Sequence, residues 1–97
     1  MTVVSVLRLP VRPGSEDALV HAFASLEIFR YSEQSGGFLG GRLLRPRDGG
    51  PFLVMAEWES DAAYRGWLEN PIRAELGAHI EPLLIGDVEA GVLYEDG

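Results

Sequence analysis

The eleven residues Glu57–Trp67, EWESDAAYRGW, hold both tryptophans of the chain and one of its three tyrosines, and they mark a strand giving way to a helix. Just upstream, Phe52 to Glu59 (FLVMAEWE) reads as a strand with Phe52, Val54, Ala56 and Trp58 in phase on one face. Downstream, Ser60-Asp61 opens a helix in which Tyr64, Trp67, Leu68 and Pro71 share a face. Three large rings with polar edges thus meet between sheet and helix. They serve as core or they line a cavity, because two indole N–H groups and a phenol each need a partner when buried.

Working outward, residues 2 to 11 (TVVSVLRLPV) form a strand stopped by Arg12-Pro13-Gly14. Ser15-Glu16-Asp17 then starts a helix that runs to about Gln34, with Leu19, Phe23, Leu26 and Arg30 along one stripe. Gly36-Gly37 ends that helix, Phe38 to Arg45 (FLGGRLLR) is a second strand, and Pro46–Pro51 turns the chain into the strand at Phe52. Pro71 fits the first turn of a renewed helix, so a break falls near Glu69-Asn70 and a further helix reaches about Glu81. Leu84 to Tyr94 completes the chain as a last strand, interrupted by Gly86 and Gly91. The order βαββαβ is the ferredoxin-like arrangement, an α+β fold with helices on one face of an antiparallel sheet. The other sheet face is too apolar to be left in water, which predicts a homodimer paired face to face.

A chain of 97 residues with 46% apolar and 24% charged content makes a single domain, residues 1–97. Its net charge of −7 disfavours nucleic acid and anionic membrane as partners, and all eight basic residues are scattered arginines. No cysteine is present, so disulfides and thiolate metal sites are excluded. With no signal-peptide core near the start and no long apolar run, a cytoplasmic location is the expectation.

No metal site is expected, because His21 and His79 lie in different elements with no acidic ligand at a fixed short spacing. His21 falls on the polar side of the first helix, whereas His79 lies late in the second helical region, near the expected opening of the pocket. Gly36-Gly37 and Gly40-Gly41 lack the strand-to-helix setting of a phosphate loop and read as tight turn and close packing. Arg30 is a charge inside an apolar stripe, which implies a partner carboxylate, a polar pocket or a snorkelling stem.

The segments PGSEDALVHAF, GGFLGGRLLRP and EWESDAAYRGWLENP resemble, in order and spacing, the antibiotic biosynthesis monooxygenase superfamily over nearly the whole chain. That resemblance implies a ferredoxin-like protomer, a dimeric α+β barrel and a pocket between sheet and helices. Members include cofactor-independent oxygenases of aromatic polyketides and quinols, haem-degrading enzymes and proteins of no known activity. The anthrone-oxygenase branch has a pocket tryptophan and tyrosine that match Trp58 and Tyr64, while Val54 and Gly77 stand where it carries an asparagine and an arginine. Trp67 matches the tryptophan beneath the haem of the degrading branch, but Leu76 stands at its axial histidine and Leu7 at its first-strand asparagine.

These readings predict a monooxygenase that needs no cofactor and oxidises an electron-rich aromatic, such as an anthrone, hydroquinone or polyketide-like phenol, with O2. Trp58, Tyr64 and His79 are the catalytic candidates, and Trp67, Arg30, Arg73 and Asn70 the substrate contacts. Such a substrate passes one electron to triplet oxygen itself, and the protein deprotonates, orients and stabilises charge. Haem binding and degradation, with His79 as a substitute ligand, is an alternative. A non-oxidative polyketide cyclase or a non-catalytic small-molecule binder is another, since fold alone does not decide function.

Overall fold

The computed structural model describes residues Met1–Gly97. Strands β1 (Val3–Leu9), β2 (Phe38–Leu44), β3 (Phe52–Trp58) and β4 (Val92–Tyr94) form one sheet in the order β2-β3-β1-β4. Every neighbouring pair is antiparallel. Helices α1 (Glu16–Ser25), α2 (Ile28–Ser35), α3 (Asp61–Leu68) and α4 (Pro71–Ile80) complete the α+β ferredoxin-like protomer, with a short 3-10 turn at Glu81–Leu83.

The strands alternate as their spacing predicts. Val3, Ser5 and Leu9 of β1 and Phe52, Ala56 and Trp58 of β3 are buried toward the helices, and the register sets Val3 opposite Trp58 and Ser5 opposite Ala56. Two apolar clusters result: Val3, Ala56, Trp58, Tyr64 and Trp67 at one end, and Leu9, Leu19, Phe52, Ile80 and Leu84 at the other. Each side chain fully buried in this way contributes about 1.5–3 kcal/mol.

Three expectations are corrected. The long first helix is two helices, because Glu27 adopts the left-handed conformation at φ 51° between α1 and α2. That break resets the helical phase, so that Leu26 and Ile28 both pack inward while Arg30 swings out, its side chain 65% exposed and paired with Glu27 at 3.1 Å. The second concerns the last strand, which covers only Val92–Tyr94; Leu84 makes an isolated bridge to Val11, and the intervening stretch with Gly86 at φ 72° is irregular. Third, Ser15 makes no side-chain cap on α1. The Glu16 carboxylate instead accepts from the Gly14 amide at 2.6 Å, which steadies the entry to the helix.

The second helical region forms as expected. Ser60 Oγ accepts from the Ala63 amide at 3.1 Å, and Asn70 Oδ1 accepts from the Ile72 amide at 3.0 Å ahead of Pro71 in the first turn. Gly37, at φ 74°, carries the turn from α2 into β2, and a Cβ there would collide with the Ala63 side chain. A side chain at that position would hold α3 away from the sheet. No helix is long and apolar enough to cross a membrane.

Candidate active site between sheet and helices

A cavity of about 450 Å³ opens between the inward sheet face and the helices. Ser5, Leu7 and Leu9 of β1 and Val54, Ala56 and Trp58 of β3 form its floor. Ile28, Phe29 and Ser32 of α2 make one wall; Tyr64 and Trp67 of α3 with Arg73, Leu76 and Gly77 of α4 make the other. Gly86, Asp87 and Val88 border it from the irregular stretch before β4. Sixteen of its 23 residues are hydrophobic, which suits a flat apolar ligand held by a few polar groups.

The rings are both core and lining. Trp58 is 1% exposed, Tyr64 8% and Trp67 7%. The Trp58 ring meets Tyr64 with centroids 5.7 Å apart and Phe38 edge-on at 5.2 Å. Such tilted contacts fix ring orientation and are worth about 0.5–1.5 kcal/mol each beyond burial.

Their polar edges differ. Trp58 Nε1–H donates to Ser5 Oγ at 3.0 Å, and the Ser5 hydroxyl donates on to the Ala56 carbonyl at 3.4 Å. The Trp58 N–H is therefore occupied by the protein and is not free to bind a ligand oxygen, which corrects the role expected of it. No protein hydrogen bond involves the Tyr64 hydroxyl or Trp67 Nε1, and no buried side-chain polar atom is orphaned, so both keep an accessible edge. The Tyr64 hydroxyl abuts Gly91, where a Cβ would lie 2.5 Å from it. Burial raises the Tyr64 pKa above its ordinary value of 10.0, with Arg73 pulling weakly the other way. At neutral pH Tyr64 is a neutral donor.

The structure brings together Trp58, Tyr64, Trp67 and Arg73, and leaves three other candidates outside. Arg30 is on the surface for the reason given above. Exposed His79 is absent from the cavity wall, since the lining residues of α4 centre on Gly77 and two residues further on the helix has turned through about 200°, to the far side. Asn70 is occupied in capping α4. The buried serines Ser5 and Ser32 were missed by sequence reasoning. Ser5 had a signal, as the single polar residue among the in-phase positions Val3, Ser5, Leu7 and Leu9; Ser32 had none once the helix was taken as unbroken, and its hydroxyl donates to the Ile28 carbonyl at 2.9 Å.

This donor set suits haem poorly. No imidazole, thiolate or thioether lies in the wall, and Leu76 stands at the position of the expected axial histidine; the one phenol there, Tyr64, is kept neutral by burial, so the residues present offer no ready iron ligand. The apolar lining itself is compatible with a large planar ligand.

Comparison with known proteins agrees with this geometry. The model of the antibiotic biosynthesis monooxygenase family matches residues 2–76. A mycobilin-producing haem oxygenase of Mycobacterium tuberculosis is 36% identical over 88 residues, covering 89% of this chain and 82% of its own length. The cofactor-independent oxygenase SnoaB of Streptomyces nogalater superposes with a TM-score of 0.80 at 25% identity, covering 99% of this chain and 93% of the other. The haem degrader MhuD of M. tuberculosis, solved with two haems in its active site, gives a TM-score of 0.76 at 32% identity, covering 97% and 94%. The match over most of the chain, the shared protomer and the cavity in the same fold together place this protein in the antibiotic biosynthesis monooxygenase family, as a monooxygenase.

Proposed function

We propose that the chain is a cofactor-independent monooxygenase that oxidises an electron-rich aromatic with O2. The observation that carries this reading is an apolar cavity without imidazole, thiolate or thioether, lined by the free and neutral Tyr64 hydroxyl together with Trp67 and Arg73. For an anthrone the overall change is CH2 plus O2 to C=O plus H2O. The substrate anion gives one electron to oxygen, the radical pair joins through a C–O bond, and loss of water leaves the carbonyl. The protein's part is to hold the ring between Trp58 and Trp67, donate from Tyr64 Oη to the substrate oxygen, and set the positive charge of Arg73 against the anion. Ser5 acts through Trp58 by fixing its ring.

The test is quinone formation from anthrone in air and under nitrogen, without added flavin, metal or haem. Oxygen-dependent product above the autoxidation rate is expected, and Tyr64→Phe is expected to lower kcat by on the order of 10²-fold. Equal rates with and without the protein would overturn the reading and leave the cyclase and binder alternatives.

A second reading, with haem as substrate, is supported by the 36% identical haem oxygenase and by the apolar lining of the cavity. Titration with haemin separates the two: a saturable Soret shift followed by oxygen-dependent loss of the band with a reductant supports haem, and an unshifted free-haemin spectrum counts against it.

The homodimer belongs to the same proposal. Val6, Leu53, Val92 and Tyr94 make an apolar patch on the sheet face away from the helices, with Val92 52% and Tyr94 55% exposed.

A further inference from the structure

Of the eight arginines, Arg73 alone lines the central cavity, and it alone is half-buried. Arg30 and Arg45 pair with Glu27 and Asp17, and Arg12 donates from Nε to the Pro82 carbonyl. Arg73 has no side-chain hydrogen bond and no carboxylate within ion-pair reach, in a chain with 15 acidic residues. A partly buried cation without a counterion is unfavourable unless something else neutralises it. Its backbone is well fixed: the Arg73 amide donates to the Asn70 carbonyl at 3.0 Å in the capped first turn of α4.

The surroundings narrow the missing partner. Arg73 and Tyr64 both line the cavity, and the guanidinium acts electrostatically on the phenol, so a cation and a neutral donor face the same space. Two exposed carboxylates, Glu81 and Asp87, also border the cavity. Glu81 lies eight residues further on, roughly 12 Å along the helix direction, and Asp87 belongs to the stretch before β4. Neither is paired with Arg73. A guanidinium presents a planar fork of donors that matches the two oxygens of a carboxylate better than the single oxygen of a phenolate. Apart from Gly77, Gly86 and the two serines Ser5 and Ser32, whose hydroxyls bond within the protein, the rest of the lining is apolar and aromatic.

We propose that Arg73 is the anion-recognition residue of this cavity, and that the ligand is a planar aromatic bearing a carboxylate, taken by the guanidinium fork with the Tyr64 hydroxyl beside it. This assignment rests on reading the cavity as the substrate site. It adds a substituent to the substrate class: a carboxylated hydroquinone or anthrone is preferred over its neutral counterpart.

The experiment uses two hydroquinone probes that differ only by the carboxylate, 1,4-dihydroxy-2-naphthoate and 1,4-dihydroxynaphthalene. Binding is followed under nitrogen by quenching of tryptophan fluorescence. The carboxylate is expected to bind at least about tenfold more tightly, the scale of a hydrogen bond to a charged group. Arg73→Gln, checked for folding by its thermal transition, is expected to erase the preference, and Arg73→Lys to keep part of it. Equal affinity of the wild-type protein for the two probes overturns the proposal, as does a preference that survives in Arg73→Gln. Admitting air to the same samples tests the oxygenase reading separately. Preference without oxygen-dependent turnover supports the anion site and counts against oxygenation; turnover without preference does the reverse.

Discussion

Ser5 and Trp58 are separated by 53 residues and joined by one hydrogen bond at 3.0 Å, and that bond decides what the tryptophan does. With its N–H given to Ser5, Trp58 acts through its ring, as a wall. Ser5→Ala would leave a buried indole N–H without a partner, and the expected loss is about 1–3 kcal/mol, read as a lower denaturation midpoint. An unchanged midpoint would show that Ser5 does not anchor the ring. Tyr64 offers the converse case, a buried phenol whose hydroxyl no protein group accepts. Its pKa is raised above 10.0, chiefly by burial. The sign follows from linkage: a pKa higher in the folded than in the unfolded chain means a stabilising contribution fully present below the unfolded value near 10 and lost as pH rises through the folded value. Stability should therefore fall in alkaline solution above pH 10, and Tyr64→Phe should flatten that part of the profile. If the wild type and Tyr64→Phe lose stability in parallel, the burial of the phenol is not what the alkaline limb reports.

At the scale of elements, the break at Glu27 shapes the α1–α2 wall. A continuous helix would have carried Arg30 onto the stripe of Leu19 and Phe23; the left-handed residue instead lets Leu26 and Ile28 both pack against the core. A non-glycine residue there carries strain of roughly 1–2 kcal/mol. Comparing Glu27→Gly with Glu27→Ala is informative because both remove the exposed pair with Arg30, itself worth little. Glycine should be the more stable variant by on the order of 1 kcal/mol. In an unbroken helix the order would reverse, since alanine is favoured over glycine by about 1 kcal/mol in a helix interior. The order of the two melting temperatures thus reports the kink directly. The break at Glu69-Asn70 was legible in the sequence because Pro71 marks a helix start; the break at Glu27 carries no proline or glycine and was not.

For the whole molecule, the open question is what covers the outer sheet face. Val6, Leu53, Val92 and Tyr94 lie there, with Arg8, Glu89 and Ala90 beside them. An apolar patch with charges beside it suits a self-complementary interface. Light scattering should give twice the chain mass, and Tyr94→Asp, which sets like charges against each other across a two-fold contact, should give a monomer. A wild-type chain that is monomeric at micromolar concentration would reject the pairing.

The sequence by itself determined the alternation of strands and helical regions, the inward phase of β3, the helix starts at Ser60-Asp61 and Pro71 and the family. Those features rest on periods of 2 and 3.6 residues and on turn chemistry, which act between neighbours along the chain. Only the tertiary structure decided which polar groups stay free in the cavity. Trp58 and Tyr64 stand six residues apart and look equivalent as candidates, yet Ser5 occupies one and nothing occupies the other. Likewise Arg30 and His79 were excluded, and Arg73 retained, by the phase of their helices against the sheet. A hydrogen-bond partner brought in from 53 residues away, and a helix phase reset at a strained residue, follow from how the core packs, and no local pattern encodes them.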